Sequence, residues 1–179
     1  MCQCSCIPEI SSPLLLHCLN HTIDRLWTEL GACFGAIAKN GNVRVVVLSG
    51  AGKIFTTGLD LGDLGFLFAE MEGSRKAAAM RQHVIDFQDA FTSIERCPQP
   101  VIAAVHAACI GGGVDLVTAC DVRMCSADAY FCVKEVDLGL AADVGTLQRL
   151  GKVIGALKSM QFSSFHRASF LALVLTSDY

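Results

Sequence analysis

Three acids offer this chain its clearest chemistry: Asp115, Glu135 and Asp143, set between Gly111-Gly112-Gly113 and the apolar stretch Gly139 to Ala142 and its continuation to Gly145. A carboxylate in apolar surroundings is costly unless it is paired, protonated or used. Acids placed this way suit proton transfer. The glycine triplet follows an apolar run and precedes a helical pattern whose first turn holds Asp115. Backbone N–H groups at a helix start lack partners and point outward, which suits an anion or a developing oxyanion. Plainer readings stand beside these. The triplet is equally a tight strand-to-helix turn, Asp115 a carboxylate favoured by the helix dipole, Glu135 a surface charge next to Lys134, and Asp143 an N-cap for the helix near Thr146.

The elements that must position these residues are legible from periodicity. Ile23, Leu26, Trp27, Leu30, Phe34 and Ile37 recur at helical spacing, with Thr22 as N-cap and Asn40-Gly41 as terminator. Val43 to Leu48 is a β-branched run that feeds the loop Ser49-Gly50-Ala51-Gly52, as a buried strand would. A second helix is expected from Ser74 through Met80, Val84, Phe87, Phe91 and Ile94, stopped by Pro98 and Pro100. Val101 to Val105 reads as a second buried strand, followed by a short helix over Val114 to Ala119. Short strands are expected at Val122 to Met124 and Tyr130 to Val133, and a helix at Thr146 to Val153. Helix and strand alternate, so the class is α/β.

Composition narrows the function further. The chain of 179 residues is 53% hydrophobic, with a mean hydropathy of +0.48. Its apolar run nearest to spanning length, Val101 to Cys120, contains His106, Asp115 and the glycine triplet, which exclude it from a bilayer. The formal net charge of −3, with no run of Lys or Arg, gives no sign of nucleic-acid binding. Of 10 cysteines, Cys33, Cys109, Cys120 and Cys132 fall in apolar, periodic surroundings where a reduced thiol packs as a small hydrophobe. Cys2, Cys4 and Cys6 form no C-x-x-C pair, so no metal is expected. Gly50 and Gly52 match neither phosphate-loop fingerprint: Val47 stands where a Walker pattern needs Gly, and Ile54 where it needs a hydroxyl. Asp121, Asp128, Asp137 and His106 are read as structural.

Five segments in order resemble the enoyl-CoA hydratase/isomerase (crotonase) superfamily: Phe55 to Leu61 (FTTGLDL), Pro100 to Ala104 (PVIAA), Ile110 to Leu116 (IGGGVDL), Cys120 to Arg123 (CDVR) and Gly145 to Leu150 (GTLQRL). The resemblance covers residues 14–155. It implies a crotonase-like ββα superhelix over that stretch, with 1–13 an unmatched, poorly ordered lead and 156–179 a divergent tail. The fold is then expected to be incomplete, lacking the C-terminal helical region through which the family forms trimers and hexamers. Family members carry Gly where Ala107 and Ala108 stand. By resemblance, the backbone N–H groups of Leu59 and Gly112 form an oxyanion hole, and Thr57, Gly58, Asp60, Leu61 and Gly113 contact substrate.

The stretch Val133 to Gly145 (VKEVDLGLAADVG) is similar to the dienoyl-CoA isomerase branch, because hydratases have a Pro-Gly segment where this chain has Ala141-Ala142-Asp143. The resemblance implies isomerisation of 3,5-dienoyl-CoA to 2,4-dienoyl-CoA in fatty-acid β-oxidation. Glu135 would act as base at C2, Asp143 as acid at C6, and Asp115 would tune Glu135. Hydration of 2-enoyl-CoA through Asp115 and Glu135, or a catalytically silent CoA-binding protein, are the alternatives. The partner is an acyl-CoA thioester, with CoA part of the substrate and no separate cofactor. The family implies a mitochondrial or peroxisomal address, for which the chain shows no clear targeting signal.

Overall fold

The computed structural model describes residues 3–6, 13–18, 23–58, 72–156, 159 and 168–169. In chain order they form β1 (Gln3–Cys6), β2 (Pro13–Cys18), α1 (Ile23–Ile37), β3 (Val45–Gly50), α2 (Gly73–Glu95), β4 (Val101–Val105), β5 (Ala108–Ile110) and α3 (Gly112–Ala119). There follow β6 (Val122–Cys125), β7 (Tyr130–Cys132), a 3-10 turn (Glu135–Leu138), α4 (Thr146–Ile154) and β8 (Ala168–Ser169).

Five strands make one sheet in the order β1-β2-β3-β4-β6. The β1–β2 pair is antiparallel, and the β2–β3, β3–β4 and β4–β6 pairs are parallel. Within the stretch 1–13, which shows no periodicity in the sequence, β1 has four residues and pairs with β2. A second sheet, β5-β7-β8, lies beside the first.

Alternation along β3 and β4 decides which face is buried. Val46, Leu48, Val101, Ala103 and Val105 turn inward, and the cluster continues through Trp27, Leu30, Phe34 and Ile37 of α1 and Phe87, Ala90, Phe91 and Ile94 of α2. Trp27 stacks on Phe87 at 4.4 Å between centroids and meets Phe91 edge-on at 4.9 Å, which locks α1 to α2. Cys109, Cys120 and Cys132 are buried. Burial pushes Cys120 up to about 12 and Cys109 higher still, so both pack as apolar groups.

The path from β4 to the glycine triplet passes through Ala107 at φ +50°, a left-handed conformation. Its carbonyl accepts the Tyr130 N–H at 2.9 Å, so β7 holds the turn. An L-residue with a Cβ is disfavoured there by about 1–2 kcal/mol, and glycine, which the resemblance led one to expect at this position, is not. Ala107→Gly is therefore expected to stabilise the fold by about 0.5–1 kcal/mol after the extra flexibility of the unfolded chain is subtracted. Urea unfolding with an unchanged slope measures it.

Candidate active site

Two loops meet at the start of α3. After β3, Gly50 runs so close to Phe55 that an added Cβ would lie 2.4 Å from the Phe55 carbonyl oxygen. The Phe55 N–H donates to His106 O, the Thr56 N–H to Ala108 O, and the Ile110 N–H returns to Thr56 O. Thr56 thus extends the β5 edge, bridging to Cys109. Gly58, at φ +88°, packs on the glycine triplet: a Cβ there would stand 2.9 Å from Ile110 O and 3.6 Å from Gly111 Cα. Its N–H is held by the Thr56 hydroxyl at 3.2 Å. Thr57 is exposed beside it. Leu59, Asp60 and Leu61 lie outside the described residues, so of the expected oxyanion pair only Gly112 is placed.

Gly111 turns the chain into α3 at φ +54°, and its N–H is fixed by Cys132 O at 2.8 Å. Gly112 is the first helical residue, so its N–H precedes the first intrahelical hydrogen bond. Gly113 admits no side chain: a Cβ would fall 2.3 Å from Thr56 Cγ2 and 3.1 Å from Cys109 Sγ. The helix therefore begins inside the triplet, two residues earlier than its apolar pattern suggests.

The Gly111–Cys132 bond brings the end of β7 to the glycine turn, and with it Glu135. A Cβ on Gly111 would lie 3.3 Å from Glu135 Oε1. Glu135 begins the 3-10 turn, and Lys134 pairs with Asp137 rather than with it. The second oxygen, Oε2, is buried without a hydrogen-bond partner among the described residues. Burial, together with the nearby charges of Asp115 and Asp143, raises Glu135 to about 7, against opposing hydrogen bonds from its own and the Lys134 backbone.

Asp115 sits one turn into α3 and is only 1% exposed. Its Oδ1 accepts the Thr146 N–H, the first N–H of α4. Asp115 thus joins the starts of two helices instead of serving its own dipole alone. Burial pushes it up to about 6, opposed by the hydrogen bonding of Thr146 and by the Arg149 guanidinium. Gly145 leaves room for this contact, since a Cβ there would meet an Arg149 guanidinium nitrogen at 2.4 Å and Asp115 Oδ1 at 3.5 Å. Asp143, half-buried, lies two residues before the α4 cap, which is Gly145 and has no side-chain capping bond. The N-cap reading of Asp143 therefore does not hold.

Asp121 accepts the Val101 N–H at 2.8 Å and pins the start of β4, and His106 Nε2 sits 3.0 Å from Gly52 O. Among the described residues no group of His, Cys, Asp and Glu is arranged to hold a metal, and no helix is long and apolar enough to cross a membrane. Sequence spacing gave no sign of the supporting roles of Gln88, of Arg149, which pairs with Glu95, or of Thr146, although the last two stand inside the GTLQRL segment.

Two raised carboxylates make stability depend on pH in a definite direction. Unfolded Asp115 titrates near 3.8 and Glu135 near 4.5, while folded they hold their protons to about 6 and about 7. Between those limits the folded state binds more protons, so stability falls as pH rises, and the cost is complete above about pH 7. Asp115→Asn keeps an oxygen for the Thr146 N–H and removes the charge. Its urea midpoint is expected to exceed that of the wild type at about pH 8 and to converge with it near pH 4.

A helix start at Gly112, whose N–H precedes the first intrahelical hydrogen bond, thus lies at the turn that Glu135 meets, and Glu135 and Asp115 are both raised toward neutrality. The family model for Enoyl-CoA hydratase/isomerase matches residues 17–168, and the chain belongs to that family. It is 57% identical over 132 residues to the mitochondrial Δ(3,5)-Δ(2,4)-dienoyl-CoA isomerase of Homo sapiens, a match covering 72% of this chain and 40% of that protein. With the peroxisomal Δ(3,5)-Δ(2,4)-dienoyl-CoA isomerase of Arabidopsis thaliana it shares 45% identity over 139 residues, covering 75% of this chain and 50% of the relative. The chain thus spans about two fifths to half the length of these curated relatives. Among solved structures, an enoyl-CoA hydratase from Bacillus anthracis superposes with a TM-score of 0.79 at 26% identity, covering 96% of this chain and 68% of that one. The α/β crotonase-type fold is shared, and the family match runs past Gly155, where the sequence motifs stop.

Proposed function

We propose that this chain carries the proton-transfer site of a dienoyl-CoA isomerase, acting on a 3,5-dienoyl-CoA thioester. The observation that carries the reading is Glu135: its carboxyl stands against the Gly111 turn and is raised to about 7 by burial, with the charges of Asp115 and Asp143 adding to it. A base of that strength is half-ionised near neutral pH, where proton abstraction is most effective.

In this reading Glu135 takes the proton from C2. The electron pair left behind delocalises into a dienolate whose charge rests on the thioester oxygen, held by the N–H groups of Gly112 and Leu59. Asp143 returns a proton at C6, and the double bonds settle at C2 and C4. One proton has then left C2 and one has arrived at C6, so the carboxyls must re-equilibrate before the next cycle. Asp115 stays beside Glu135 as the charge that keeps it basic. Thr57, Gly58, Asp60, Leu61 and Gly113 line the approach of the thioester. CoA enters as part of the substrate. The names of the curated relatives support a mitochondrial or peroxisomal address.

Ultraviolet absorbance during incubation with a 3,5-dienoyl-CoA tests the reading. Growth of the 2,4-diene band is the expected result. Hydration of a 2-enoyl-CoA without that band would replace it with a hydratase, and thioester binding with neither reaction would replace it with a non-catalytic protein.

A further inference from the structure

Asp143 stands in the irregular stretch between the 3-10 turn and α4, where no strand or helix fixes its backbone. Its carbonyl is nevertheless tethered from a distant element: Gln88 Nε2 of α2 donates to Asp143 O at 2.8 Å. A weaker bond at 3.2 Å comes from Gln148 Nε2. Gln88 does not act alone. Gln88, Thr92 and Glu95 follow the i, i+4, i+7 spacing that places side chains on one face of a helix. The Thr92 hydroxyl donates to Gln88 O at 2.6 Å and accepts from Arg149 at 3.1 Å. Glu95 receives Arg149 Nε at 3.0 Å. These residues line one cleft between α2 and α4, so α2 grips the start of α4 on both sides of Gly145.

We propose that Gln88 is a positioning residue for Asp143. Its side-chain amide holds the Asp143 backbone and thereby sets where the carboxylate stands relative to Glu135. The inference rests on the isomerase reading for its effect on turnover, but the tether itself does not. Acid–base groups at two ends of one diene must be held to a fixed separation, and a displacement of about 1 Å can cost as much as a hundredfold in rate. The Glu135 end needs no such tether, because the Gly111–Cys132 bond carries it.

The test separates the two ends of the reaction. In D2O, exchange at C2 requires Glu135 alone, while formation of the 2,4-diene also requires Asp143. Gln88→Leu keeps the shape and helix propensity and removes the donor; Gln88→Glu keeps polarity and size and also removes the amide donor, should the leucine variant fold poorly. Each is expected to lower kcat for diene formation about tenfold, with KM and the C2 exchange rate within about twofold of the wild type. Equal loss of exchange and conversion, or no loss of either, would overturn the proposal. Deuterium uptake at backbone amides of residues 141–149 is a readout that needs no turnover. Faster uptake confined to that segment is expected in both variants, and unchanged uptake overturns the tether. If the wild type neither exchanges C2 nor forms the diene, the isomerase reading fails by itself, and the uptake measurement still decides Gln88.

Discussion

Glu135→Gln is expected to lower turnover of a 3,5-dienoyl-CoA by about 10²–10⁴, the range attached to loss of a positioned general base, and to abolish C2 exchange with it. The amide matches the carboxyl in size, so the Gly111 contact and the 3-10 turn survive. What disappears is the proton acceptor. In the wild type, burial is the main reason Glu135 holds its proton up to about 7, with the charges of Asp115 and Asp143 adding to it. In the proposed mechanism Glu135 works deprotonated, so the rate of C2 exchange, which does not draw on the Asp143 proton, should rise as pH rises through about 7 and then level off. In Glu135→Gln the residual rate should lose that limb. A retained limb would assign the titration to another group, and retained C2 exchange would remove Glu135 from the role of base.

Much of this arrangement was legible in the sequence because local patterns specify it. The spacing of Trp27, Leu30, Phe34 and Ile37 made α1, and the β-branched run before Ser49 made β3, shifted by two residues toward Gly50. Asp115 and Glu135 stood out as acids among apolar neighbours, and the structure brings both to the glycine turn. Contacts between distant residues were not legible. Gln88 and Asp143 are 55 positions apart, and Arg149 and Glu95 are 54 apart. Neither pair has a local signature. Thr146 meets Asp115 across 31 positions because α3 and α4 begin side by side, which no single-helix pattern encodes. Ala107 was visible only as a missing glycine; its cost depends on a positive φ that spacing does not show. The 3-10 turn at Glu135 escaped notice for a different reason, since four residues are too few for a period.

Asp143→Asn addresses the residue on which the choice of reaction depends. If Asp143 is the C6 acid, as proposed, its loss should lower diene formation by about 10²–10⁴, while C2 exchange persists, because Glu135 and the Gly111 turn are untouched. The backbone bond from Gln88 reaches the Asp143 carbonyl, which asparagine keeps, so the loop should hold its place. Loss of turnover would then reflect the missing proton and not a displaced backbone. A hydratase working through Asp115 and Glu135 would place no demand on Asp143, and its water addition would survive the substitution. Conversion, exchange and hydration measured on the one variant therefore distinguish a proton carried along a diene from a water added across a single double bond.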